Sequence, residues 1–64
     1  MGGVELPGNT VWTAKEDCTI EVTEGSGYLR RKDGHEEVLE VNATRDLKEG
    51  DKFASRTEGC KFRT

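Results

Sequence analysis

Apolar and polar residues alternate along this chain in short runs, and turn-forming residues cut the runs every eight to twelve or so positions. The cleanest run is Cys18, Ile20 and Val22 alternating with Thr19, Glu21 and Thr23. A period of two with one apolar face describes a half-buried strand. The same reading predicts strands over Thr10–Ala14, Tyr28–Lys32, Glu36–Val41 and Lys52–Thr57, and a closing strand with Cys60 and Phe62. Turns are expected at Glu16-Asp17, at Gly25-Ser26-Gly27, at Asp33-Gly34 as a type I′ hairpin, at Leu47–Asp51 and at Glu58-Gly59. Asn42–Leu47 reads as a connection with room for a single helical turn. Parity points Leu39, Val41 and Phe53 to the core and Val38 outward. Residues 1–9, broken by Gly2, Gly3, Pro7 and Gly8, read as a flexible N-terminal arm whose Val4 and Leu6 could add an edge strand to a neighbour. The predicted fold is all-β: an antiparallel meander over residues 10–64, forming a jelly-roll-like sandwich or a small barrel.

Lys15-Glu16-Asp17 and Thr23-Glu24-Gly25 echo in Lys48-Glu49-Gly50-Asp51 and Thr57-Glu58-Gly59. Aligned on these matches, Phe53 falls opposite Thr19 and the core faces disagree. The echo therefore reads as repeated turn chemistry and not as a duplicated fold.

Composition narrows the function. A domain of 64 residues buries only about 60% of the surface its unfolded chain exposes, and domains of this size usually need a disulfide, a metal or a partner subunit. With 31% hydrophobic and 36% charged residues the core is expected to be thin and completed by self-association. The net charge of −3 is a poor footprint for general nucleic-acid binding, which needs an excess of Lys and Arg. No stretch approaches a membrane span and no signal peptide is visible, so a cytoplasmic or virion-associated location is expected.

The chemistry-bearing residues offer little for catalysis. His35 is the one histidine and follows a turn glycine. The carboxylates have no cleft in which one of a pair could be held protonated. Cys18 and Cys60 are too far apart for a CxxC pattern, and read as two buried thiols or as a disulfide joining the second strand to the last. No catalytic residue, cofactor or metal site is expected. Arg30-Arg31-Lys32 with Tyr28 is the one basic cluster next to an aromatic residue, an arrangement small barrels use for single strands. Cross-strand pairing with Glu36 and Glu37 is the competing use of those charges. Trp12 is either the centre of the core or a partly exposed interface anchor.

Two stretches resemble a known group of proteins. Thr13-Ala14-Lys15-Glu16-Asp17-Cys18-Thr19-Ile20-Glu21-Val22, followed later by Leu47-Lys48-Glu49-Gly50-Asp51-Lys52-Phe53, is similar to the turn-then-strand segments of small β-structured bacteriophage virion modules, the fibre knob and tip domains and capsid decoration proteins. Lys15 stands where that pattern usually has Pro, and Cys18 where it has Gly. The resemblance spans about two-thirds of the chain. It implies a jelly-roll-like or small-barrel fold, a homo-oligomer (a trimer favoured), a role in binding a surface, and no catalysis. The expected function is thus a non-enzymatic structural or interaction module that assembles with itself or with a larger protein. Val4, Leu6, Trp12, Tyr28 and Val38 are the expected contact residues. The alternatives are a small acidic inhibitor of a host protein and, less favoured, a nucleic-acid-binding barrel using Tyr28, Arg30, Lys32 and Trp12.

Overall fold

Nine residues of straight strand would separate Phe53 from Phe62 by about 30 Å, yet their rings meet edge-on with centroids 5.2 Å apart. The strand that carries both must fold over on itself, and the rest of the architecture follows from that. The structure, a computed structural model, describes residues 2–64. Its strands are β1 (Gly3–Leu6), β2 (Val11–Thr13), β3 (Cys18–Arg30), β4 (Glu36–Leu39), β5 (Thr44–Leu47) and β6 (Lys52–Arg63). They form one antiparallel sheet. The all-β reading holds, and no residue described is helical.

The long strands β3 and β6 pair with each other along most of their length, and each carries two short strands on its other edge. At one end the order is β1-β6-β3-β5, at the other β2-β6-β3-β4. Between the ends the β3–β6 register shifts twice, at Val22/Glu24 and at Gly25/Gly27. Gly25 (φ 76) and Gly59 (φ 80) take left-handed conformations there. A bulge bends a strand and strengthens its twist, so the sheet turns back over a core of Leu6, Ala14, Ile20, Val22, Leu29, Leu39, Leu47, Phe53, Cys60 and Phe62. The two Thr-Glu-Gly segments are therefore bends inside long strands, not the chain reversals their glycines suggested.

Other expectations are corrected as well. Gly3–Leu6 is not an arm: β1 pairs with β6 of its own chain, from Gly3↔Arg63 to Leu6↔Cys60, and Leu6 is buried. Met1 of that predicted arm lies outside the described residues. Thr44–Leu47 is a strand on β3, not a connection, and its one apolar residue, Leu47, is buried. Val41 is 50% exposed, because β4 ends at Leu39 and Asn42 turns the chain with φ 75. At Asp33-Gly34 the reversal falls where expected, but only Gly34 has positive φ (95). The bonds from Gly34 N–H to Arg31 O (3.0 Å) and from Arg31 N–H to His35 O (2.7 Å) close a three-residue loop of the type I plus left-handed-glycine form in place of type I′.

The internal echo is structural after all. A shift of 33 positions, from Gly3 to Glu36, carries every β1–β6 pair onto a β4–β3 pair: Gly3↔Arg63 becomes Glu36↔Arg30, and Leu6↔Cys60 becomes Leu39↔Gly27. The same shift carries Val11↔Ala54, Trp12↔Phe53 and Thr13↔Lys52 onto Thr44↔Glu21, Arg45↔Ile20 and Asp46↔Thr19. Buried positions coincide as well: Leu6 with Leu39, Ala14 with Leu47, Ile20 with Phe53, Leu29 with Phe62. Both crossings between the two ends of the sheet use a left-handed Asn, Asn9 (φ 62) and Asn42 (φ 75). The Thr-Glu-Gly match runs one position longer than this shift, and a slip of one residue exchanges the faces of a strand. That is why Phe53 fell opposite Thr19 and not its counterpart Ile20.

The fold-over leaves no space beside Phe53. A Cβ on Gly27 would stand 2.6 Å from the Ala54 carbonyl oxygen and 2.6 Å from the Phe53 ring. The carbonyl belongs to a paired strand and cannot retreat. Overpacking costs about 1–3 kcal/mol, and each kcal/mol moves Tm by roughly 4–8 °C in a domain of this size. Gly27→Ala is therefore expected to lower Tm by about 10 °C in a thermal melt. An unchanged Tm would mean that the ring has free volume to move into.

Candidate functional site: an apolar row across four strands

The register sets four side chains in one line on the outside of the β2-β6-β3-β4 end. Val11 lies opposite Ala54, Ala54 opposite Tyr28, and Tyr28 opposite Val38. Directly paired residues share a face. Val11 is 58% exposed, Tyr28 46% and Val38 47%. Each points outward because its neighbour in the strand is committed inward: Trp12 to the core, Leu29 and Leu39 into it. A second row, Thr13-Lys52-Arg30-Glu36, runs beside the first. Between them lies a shallow depression of about 290 Å³ lined by Val11, Tyr28, Arg30, Glu36, Lys52 and Ala54.

Charge is distributed unevenly around this row. Arg30 pairs with Glu36 at 2.6 Å. Arg56, two residues beyond Ala54, sets its guanidinium 5.6 Å from the centroid of the Tyr28 ring, within cation–π range. Among the described residues neither Lys52 nor Arg56 has a carboxylate within ion-pair distance.

The internal repeat supplies a comparison within one molecule. Shifted by 33 positions, Val11, Ala54, Tyr28 and Val38 correspond to Thr44, Glu21, Lys61 and Glu5. The outer pairings Thr44↔Glu21 and Glu5↔Lys61 match, while the central β3–β6 pairing differs: Glu21 lies opposite Arg63 and Lys61 opposite Glu24. Every apolar side chain is replaced by a polar or charged one. Glu21 there pairs with Arg63 at 2.6 Å and Lys61 with Glu24 at 3.6 Å. The strand scaffold does not demand an apolar outer row, so the row at Val11–Val38 is a property of one end alone.

Of the expected contact residues, the fold brings Tyr28 and Val38 together on this row. Leu6 is buried and Val4 packs against the core. Trp12 is half-buried and meets Phe62 edge-on at 4.9 Å, so it serves the core. Val11, Ala54, Lys52 and Arg56 complete the face and were not singled out from the sequence.

The remaining chemistry-bearing groups have local structural roles or none. Both cysteines are free, Cys18 half-buried and Cys60 buried. Burial pushes the Cys18 thiol up, reinforced by the charges of Glu16 and Asp17, and burial does the same to Cys60. A thiol held in its protonated form is a weak nucleophile. His35 is exposed, and its N–H donates to Asp33 Oδ1 at 2.9 Å within the hairpin loop. Among the described residues no three His, Cys, Asp or Glu side chains converge on a point where a metal could sit.

The buried carboxylate, Asp51, is a fastener. Its oxygens accept from Lys48 N–H (2.9 Å), Lys32 N–H (3.1 Å) and Arg31 Nη1 (3.1 Å). These bonds, the Lys48 amide foremost and then Arg31 and Lys32, hold its carboxyl below the usual aspartate range against the opposing pull of burial. They tie the β5–β6 turn to the start of the β3–β4 hairpin. Ser55 fastens the crossing at Asn9, accepting from Thr10 N–H at 2.9 Å and donating to the Pro7 carbonyl.

No protein-family model, no curated protein and no solved structure matches this chain.

Proposed function

We propose that this protein is a non-enzymatic interaction module that seats another protein on its Val11-Ala54-Tyr28-Val38 row. The carrying observation is the contrast between the two ends of the repeat: strands with the same outer pairings are apolar outside at one end and charged at the other. Exposed apolar rows rimmed by polar residues mark interaction sites, and an exposed Tyr suits the centre of one. The raised thiol pKa values and the exposed turn histidine support a role without catalysis. The similarity of Thr13–Val22 and Leu47–Phe53 to phage virion modules supports a structural part in a larger assembly.

The test is site-specific photo-crosslinking in the cells that make the protein. With Tyr28 replaced by benzoylphenylalanine, irradiation is expected to yield a discrete protein adduct, and with Lys61 so replaced, none. Val38→Glu in the first of these is expected to remove the adduct while leaving the unfolding free energy from urea titration within about 0.5 kcal/mol of the parent, as for most surface changes. Equal adducts at positions 28 and 61, or none at either, would sink the assignment of this face.

A further inference from the structure

We infer that the segment seated on this face is an acidic polypeptide with apolar side chains along its contact line, an inference that rests on the reading just given. The row crosses four strands, three spacings of about 4.8 Å, so it is about 14 Å long. That suits a short segment and not a broad globular surface, since standard interfaces bury roughly 800 Å² per partner. Three cations, Arg30, Lys52 and Arg56, stand beside the row against two carboxylates, Glu36 and the exposed Glu40 two residues beyond Val38. The face is therefore positive on a chain whose net charge is −3. The two cations without an acidic partner, Lys52 and Arg56, flank the apolar line on opposite sides along β6, two residues either way from Ala54. A segment lying along the row meets a free positive charge on each side, and carboxylates there complete both.

Two other occupants fit less well. A symmetric pair of copies would set Lys52 and Arg56 against their own counterparts, and like charges across an interface cost affinity. A single-stranded nucleic acid needs flat rings for its bases. This face offers one, Tyr28, between aliphatic side chains, because Trp12 is turned against Phe62.

The probe is a short synthetic peptide of alternating Glu with Leu and Phe, titrated into the isotopically labelled full chain and followed by backbone amide NMR shifts. A peptide with Lys in place of Glu, oligo-dT, and a dilution series of the protein alone run in parallel. The Glu peptide is expected to shift the amides of Val11, Tyr28, Val38 and Ala54, to bind about tenfold or more tightly than the Lys peptide, and to weaken with salt, as exposed charge pairs do. The double variant Lys52→Glu, Arg56→Glu is expected to reverse the preference. Equal shifts at the face by both peptides, unchanged in the double variant, would overturn the acidic occupant and leave the docking face standing. Stronger shifts there by oligo-dT, or with protein concentration alone, would replace it with nucleic acid or with a second copy. No shift at the face by any probe would overturn the docking face itself.

Discussion

Phe62→Ala is expected to leave this chain largely unfolded at room temperature. Phe62 is 1% exposed and sits where the folded-over sheet closes: its ring meets Phe53 from the far end of the same strand and Trp12 from β2. Truncating a buried Phe costs about 3–5 kcal/mol, and edge-to-face aromatic pairs add roughly 0.5–1.5 kcal/mol each beyond area burial. A single core of this size rarely supplies more than about 3–5 kcal/mol in total. The loss is therefore comparable to the whole stability. Trp12 is the single tryptophan and lies against the mutated ring, so its fluorescence in a urea titration reports the transition directly. Phe62→Leu, which refills most of the volume, is expected to restore a cooperative curve at a lower midpoint. A wild-type midpoint for Phe62→Ala would show that the two ends of the sheet are not held together by this ring.

The second large effect is at Asp51. Removing the carboxylate in Asp51→Ala strands two backbone N–H groups and leaves the Arg31 guanidinium with only its bond to the Asp46 carbonyl; the Arg31 side chain is 29% exposed against 4% for Asp51. Hydrogen bonds to a buried charged group are worth roughly 1.5–3 kcal/mol each, with more lost when the partners stay buried. Arg31 recovers some of its share from water, so a cost of about 2–4 kcal/mol is expected. Asp51→Asn keeps the shape but points an NH₂ at donors, and is expected to fall between. The pH dependence has a definite sign. The carboxyl of Asp51 is lowered in the folded state, so the folded chain binds this proton less readily than the unfolded chain. Its contribution is complete above the ordinary aspartate value of about 3.9 and is lost as pH falls through the lower folded value. Urea midpoints measured from neutral pH downward should converge for wild type and Asp51→Asn in acid. A gap that stays constant at all pH would mean that Asp51 is not the titrating fastener.

What the sequence made legible follows its periodicities. Cys18–Val22 and the inward Phe53 were readable because strict alternation leaves one choice of face. Outward Val38 and inward Leu39 came from parity in the same way. The chemistry of a bulge and of a turn is alike, a glycine at positive φ, so Gly25 and Gly59 read as reversals when they are bends. Thr44–Leu47 was missed because a four-residue edge strand needs one buried side chain and shows no alternation of its own. Tyr28 and Val38 could each be named as exposed, but that they stand opposite one another, in line with Ala54 and Val11, depends on pairings among four strands distant in sequence. Lys52 and Arg56 stand out only once the structure shows that, among the described residues, no carboxylate lies within ion-pair distance of either.

The exchange of strands between the two halves of the chain has a consequence for how such a protein can arise. β1 and β2 both lie on β6, and β4 and β5 both lie on β3, so neither half holds its own short strands. A peptide of half this length could not fold alone, but two copies of it would satisfy all of these outer pairings as an intertwined homodimer. Such a dimer is bound by its symmetry to show the same face twice. Fusing the copies in one gene releases that constraint: one face is free to be apolar while its counterpart is charged, and the scaffold acquires a front and a back.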